Sequence, residues 1–256
     1  MSRRVYEKPR ARREEEEREE PPQLVPGLSN HALSRLLARQ PSAKQPLKTG
    51  KQVDTIFDTS EYLKDLVGAK MRKVSLAKIM KIDNEAAFKR AWLEYAQRSI
   101  NPATDRNFSP EEAENFLVTK GVRAFQDEDK GVIHIRKERA DLGTQIHEGM
   151  HAHSDDRWRK RMNYAVNEGV TEYFTRKVGP EVDVQRDDSS FLREYTSATH
   201  LVTVATEPVV AAAYFEGDLA GLENGVDGAR GKGTWSQWVG FLEQNNFKAA
   251  NKLLTS

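Results

Sequence analysis

Residues 147–151 read His147-Glu148-Gly149-Met150-His151, two histidines four residues apart with a glutamate between them. On an α-helix, positions i and i+4 share a face, so the two imidazoles can point at one ion while Glu148 sits beside it. Such a pair supplies two nitrogen ligands to zinc, and the intervening carboxylate can act as general base on a water that the metal activates. A chain with 6 His among 256 residues contains this pattern by chance only about once in a hundred sequences. The flanks favour a helix. Asp141 or Thr144 can cap its start, Gly143 and Gly149 leave room near the site, and Ile146, Met150 and Ala152 supply apolar surface.

A catalytic zinc needs a third protein ligand and an open position. Downstream, Asn167-Glu168-Gly169-Val170-Thr171-Glu172 places two carboxylates one turn apart on a helix expected over 163–178. Gly169, Val170, Tyr173 and Phe174 surround them, which implies partial burial, where an unpaired carboxylate is costly and a metal would relieve the cost. Spacing alone leaves Glu168 and Glu172 interchangeable. His153 follows His151 by two residues and faces away from the His147/His151 stripe.

The composition narrows the alternatives. With no cysteine, disulfide frameworks, thiol nucleophiles and thiolate metal sites are excluded, so any metal must be held by His, Asp or Glu. A balance of 40 Lys+Arg against 39 Asp+Glu gives no global basic excess, so nucleic acid is not expected as a partner. The most apolar stretch, 201–215, is interrupted by Thr203, Thr206, Glu207 and Pro208, so no membrane span is expected. No apolar segment follows Met1-Ser2-Arg3-Arg4, which argues against Sec or twin-arginine export.

Residues 1–50 are charged and proline-rich, and the run 12–20 is almost wholly ionic. They read as a disordered leader with one short helical segment at 28–39. Residues 51–256 form the folded domain, expected to be α+β, mostly helical, with a small β-sheet. The pattern predicts helices over 60–82, 84–98, 110–120, 141–154, 163–178, 189–206, 208–215 and 234–253, and a strand at 132–136. Arg157-Trp158-Arg159-Lys160-Arg161 reads as a solvated basic loop, and 225–233 as a flexible glycine-rich connector. Trp235, Trp238, Phe241, Leu242 and Phe247 form an apolar face in the last helix.

The strand followed by the histidine helix resembles the zincin metallopeptidases, and the segment from about 120 to 218 is similar to bacterial zincin-like metallopeptidases. The second, glutamate-bearing helix is similar to the gluzincin branch. That resemblance implies a zincin-like fold, a zinc ion held by His147, His151 and Glu168, and Glu172 accepting from the free ring nitrogen of a ligating histidine. It also implies that Asn167 orients the other histidine and that an edge strand pairs with an extended protein or peptide substrate. The tetrahedral oxyanion of such a reaction needs a donor besides the metal. Tyr195 is the first candidate and His200 the second, followed by Arg193, Tyr173 and Tyr214.

The leader segment Gly27-Leu28-Ser29-Asn30-His31-Ala32-Leu33-Ser34-Arg35-Leu36-Leu37 resembles N-terminal segments of proteins associated with extracellular contractile injection systems. That likeness implies an effector or toxin held in the bacterial cytoplasm before loading, then injected into a target cell or secreted by a non-Sec route. The expected activity is zinc-dependent peptide-bond hydrolysis. The alternative is a non-catalytic zinc-bearing module of a phage-tail-like particle.

Overall fold

The computed structural model describes residues 45–101, 106–127, 129–186 and 191–256. The leader, its helix at 28–39 and the loading role attached to it fall largely on residues 1–44, outside the described residues. Residues just before Lys51 contact the helix that carries His147. The Leu142 N–H donates to the Gln45 carbonyl at 3.2 Å. The Gln145 amide brackets Lys48, accepting from its N–H at 2.8 Å and donating to its carbonyl at 2.7 Å. Gln45 and Lys48 are therefore tied to the histidine helix.

Thr49 and Gln52 close a capping box on helix α1 (Gly50–Thr59), and Ser60 caps α2 (Glu61–Leu66). The single helix expected over 60–82 is not formed. Gly68 sits at φ +56°, a conformation that ends a helix. A 3₁₀ turn at Gly68–Lys70 follows, then the short α3 (Leu76–Ile79) and strand β1 (Met80–Asp83). Helix α4 (Glu85–Ala96) starts at an Asn84 cap. The two-residue strands β2 (Ile100–Asn101) and β3 (Arg106–Asn107) pair antiparallel. Ser109, Pro110 and Glu112 start α5 (Pro110–Thr119) as the sequence predicts.

Strands β4 (Ala124–Asp127) and β5 (Val132–Arg136) complete a three-stranded sheet of order β1-β5-β4. β1 runs parallel to β5, pairing Met80 with Ile133, and β4 runs antiparallel, pairing Ala124 with Ile135. Ile133 and Ile135 are fully buried. A satellite cluster of Phe88, Trp92, Phe108, Leu117 and Phe125 packs α4 and α5 on β4.

The central strand β5 leads into α6 (Leu142–His153), whose cap is Asp141: its carboxylate accepts from the Thr144 N–H at 2.8 Å. Every residue of α6 is buried except Glu148. Leu142, Ile146 and Met150 anchor it in the main core, each worth about 1.5–3 kcal/mol of apolar burial. A Cβ on Gly149 would lie 2.7 Å from the Phe57 ring, so the missing side chain is what lets α1 approach.

The stretch 155–161 is helix α7 (Asp156–Arg161) rather than a loop. Its Trp158 is fully buried, so an apolar anchor outweighs the basic residues around it. Then follow α8 (Tyr164–Val178), a 3₁₀ turn at Gly179–Val182, α9 (Leu192–Ala205) and α10 (Glu207–Glu216). Most of the expected connector is helical, forming the end of α11 (Leu219–Arg230), and the sharp turn is confined to Gly231 and Gly233 at φ +105° and +86°. The last predicted helix is two, α12 (Thr234–Glu243) and α13 (Phe247–Thr255), divided where Asn245 turns to φ +56°. Trp235, Trp238 and Leu242 are buried there, with Phe241 and Phe247 packed at the edge of the core. The architecture is α+β and mostly helical. Among the described residues no helix is long and apolar enough to cross a membrane.

Candidate metal centre

Helices α6 and α8 pack face to face, and their facing stripes build the site. From α6 come His147 and His151, with ring centroids 4.9 Å apart. From α8 come Glu168, Thr171 and Glu172, spaced 3 and 4 residues apart and so on one face. The Nε2 atoms of His147 and His151 lie 3.1 and 3.4 Å from the two oxygens of Glu168. One ligand atom from each of the three residues lies within 4.8 Å of the others, so this buried His/His/Glu group could hold a metal ion.

The other edge of each imidazole is also engaged. His147 Nδ1 lies 3.1 Å from Glu172 Oε2. Glu172 is fully buried and receives Arg176 Nε–H at 2.9 Å and two N–H groups of Arg186, at 3.1 and 2.7 Å. The ring of Phe191 stacks on His147 at 5.0 Å with an interplanar angle of 5°. His151 Nδ1 lies 3.1 Å from Thr171 Oγ1, which is 2.8 Å from the Tyr214 hydroxyl.

Asn167 Nδ2 is 3.4 Å from the same His151 nitrogen, but its Oδ1 already accepts from the Trp158 indole at 2.9 Å. A histidine that ligates through Nε2 carries its proton on Nδ1 and needs an acceptor there. The Thr171 hydroxyl meets that need, and the amide NH₂ of Asn167 does not. Asn167 therefore ties α7 to α8 beside the site.

The electrostatics reflect this crowding. Burial disfavours a charged His147, but the hydrogen bonds to Glu168 and Glu172 outweigh it and raise its pKa from 6.5 to about 9. Burial likewise opposes ionisation of Glu168, yet His151 and His147 hold it well below the usual carboxylate range. Burial opposes ionisation of Glu172 too, but His147 and Arg186 outweigh it and lower its pKa to about 2. Glu148 goes the other way: desolvation raises it, with the two histidines only partly offsetting the effect. Among the described residues Glu148 has no hydrogen-bond partner, and it is the half-exposed position of α6.

The other candidates lie elsewhere. Tyr195 sits on α9 with the Arg176 guanidinium carbon 4.1 Å from its ring centroid, so its contacts reach the ligand set through Arg176 and Glu172. His153 points to another face, donating from Nδ1 to the Arg72 carbonyl at 2.7 Å and packing on Phe57. Tyr173 donates to Glu207 at 2.6 Å, Arg193 is exposed and His200 is half-buried. Tyr164, one turn before Glu168 on the same face of α8, is 68% exposed. Thr171 lies within the motif 167–172, one turn after Glu168, and that spacing is the signal that points to it. Arg186 and Phe191 come from non-periodic chain and carry no spacing signal. Compared with family models, with curated proteins and with solved structures, the chain matches none.

Proposed function

We propose that the chain is a zinc-dependent endopeptidase, with His147, His151 and Glu168 as ligands and Glu148 as general base. The observation that carries this reading is the convergence of two Nε2 atoms and one carboxylate on a common point, beside a glutamate of the histidine helix that has no hydrogen-bond partner among the described residues. Tetrahedral ligands about 2.1 Å from zinc lie about 3.4 Å apart, which fits the 3.1 and 3.4 Å separations of the histidine nitrogens from Glu168. Each ring also has a partner for its second nitrogen, Glu172 for His147 and Thr171 for His151, as ligating histidines require.

A bound zinc ion would supply a Lewis acid for the substrate carbonyl and lower the pKa of the attacking water. The chain's own residues do the rest. Glu148 takes a proton from that water and delivers it to the leaving amine. Desolvation raises the proton affinity of its carboxylate, which suits a group that must both accept and return a proton. Tyr164, exposed one turn before Glu168 on α8 and close enough to feel the charges of Glu168 and Glu148, joins Tyr195 as a candidate donor to the oxyanion.

The deciding comparison is wild type against Glu148→Gln, read by zinc content and by N-terminal proteomics of a broad peptide library or of exposed cells. Equal zinc in both, with cleavage only by wild type, is the expected outcome. Zinc without turnover in wild type would mark a binding module and refute the peptidase. Metal content of Glu168→Ala and Glu172→Ala tests the ligand set. Zinc lost only from Glu172→Ala would reverse the assignment.

A further inference from the structure

We propose that Arg186 is a positioning residue for the metal centre: its guanidinium fixes the plane of the Glu172 carboxylate, which in turn holds His147 with Nε2 turned toward Glu168. The inference rests on the metal-site reading above and adds a residue from outside the two site helices.

Glu172 has two arginine neighbours, and they differ in what they can do. Arg176, one turn along α8, reaches Oε1 with Nε at 2.9 Å. A single contact to one oxygen leaves the carboxylate free to turn about its own axis. Arg186 engages both oxygens, Nε to Oε1 at 3.1 Å and Nη2 to Oε2 at 2.7 Å. That fork sets the plane of the carboxylate as well as its place. Oε2 is the oxygen that meets His147 Nδ1 at 3.1 Å. The bond orienting the imidazole is thus made by the oxygen that Arg186 holds most closely.

The surrounding fold is shaped to deliver this arginine. After the 3₁₀ turn, Asp183 adopts φ +58°. The Val184 N–H bonds the Gly179 carbonyl at 2.9 Å and its side chain is buried. Arg186 then passes α6 at Gly143, where a Cβ would lie 2.9 Å from Arg186 Cδ and 3.2 Å from Val184 Cγ1. The Arg186 side chain is only 8% exposed. A long cation buried to this extent gives up much hydration and rotamer freedom, which a surface ion pair would not require. Phe191 covers one face of the His147 ring while Glu172 holds its edge, so the imidazole is restrained in two directions.

The test is zinc affinity by competition with a chromophoric chelator at fixed pH, together with imidazole ¹H–¹⁵N spectra of the zinc-loaded protein. Wild type is compared with Arg186→Gln and Arg186→Lys. Arg186→Gln should keep one zinc per chain but bind it about 10- to 100-fold more weakly, and the His147 Nδ1–H signal should broaden or vanish. Arg186→Lys, which returns the charge without the fork, should recover only part of the affinity. Equal affinity in wild type and Arg186→Gln overturns the proposal, and full recovery by lysine overturns the fork as its cause. If Arg186→Gln does not fold, Arg186→Lys decides, and affinity within twofold of wild type overturns the proposal. Wild type that takes up no stoichiometric zinc would instead overturn the metal centre itself.

Discussion

Zinc and the proton should compete for His147. In the metal-free protein its pKa is raised from 6.5 to about 9, so at pH 7 the imidazole is protonated and a metal ion must displace that proton. Two pH units below the pKa, the displacement costs about 3 kcal/mol, or about 100-fold in affinity. Apparent zinc affinity should therefore rise about tenfold per pH unit from pH 7 to 9 and then flatten. Calorimetric titration in buffers of different ionisation enthalpy should show about one proton released from this imidazole per zinc at pH 7.

The same groups set the stability of the metal-free chain. His147 has a folded pKa above its unfolded value, so its contribution is complete below pH 6.5 and is lost as pH rises through about 9. Glu172, lowered from 4.5 to about 2, contributes above pH 4.5 and loses its contribution as pH falls toward 2. From these two groups the metal-free melting temperature should peak between pH 4.5 and 6.5. Glu148, raised by burial, pulls that optimum toward its acid end. Affinity that is flat from pH 7 to 9, with no proton released, would refute the pairing of His147 with Glu168 and Glu172.

Other substitutions test the supports of the site. Thr171→Val removes the hydroxyl between His151 Nδ1 and Tyr214 and leaves the buried Nδ1–H of His151 without its acceptor, a cost of about 1–3 kcal/mol in denaturant unfolding, with weaker zinc binding; unchanged values would show that Thr171 does not support His151. Gly169→Ala places a methyl group on the Glu194 carbonyl, so α8 and α9 must part, and thermal melting should report a loss of about 1–3 kcal/mol. Asp141→Ala deletes the cap of α6 and should lower stability by about 1 kcal/mol while leaving zinc stoichiometry at one.

The elements legible in the sequence are those with a local physical cause. Ser109-Pro110-Glu111-Glu112 makes its own helix start, the β-branched run 132–136 makes a strand, and α6 and α8 have apolar periods with caps at Asp141 and Asn163. The errors fall where tertiary contact decided. Lys81 and Ile82 look helical in the periodic count, but β5 offers a parallel edge and takes them as strand. Trp158 sits in a run of arginines that reads as solvated, yet the space against Tyr214 buries it completely and helix α7 forms around it. Gly225 and Gly228 suggest a connector, although Leu222 and Val226 bury one helical face across them.

For the site the same division holds at the scale of single contacts. Periodicity places His147, Glu148 and His151 on one face, and Glu168, Thr171 and Glu172 on another, because each set is spaced at one helical turn. It cannot say which acid meets which nitrogen, since that depends on how far α8 slides along α6. The packing of α8 on α6 puts Glu168 between the two Nε2 atoms and Glu172 on an Nδ1, while Gly169 admits the Glu194 backbone of α9 against α8. Arg186 has no periodic relation to the ligands and reaches Glu172 only because Gly143 clears its path. Gly143→Ala removes no charge and no ligand, so a loss of zinc affinity would come either through displacement of that arginine or through the packing of α6. An affinity drop in Gly143→Ala that vanishes in the Arg186→Gln background would show the two acting along one path. Equal drops in both backgrounds would place the effect of Gly143 in the packing of α6 instead.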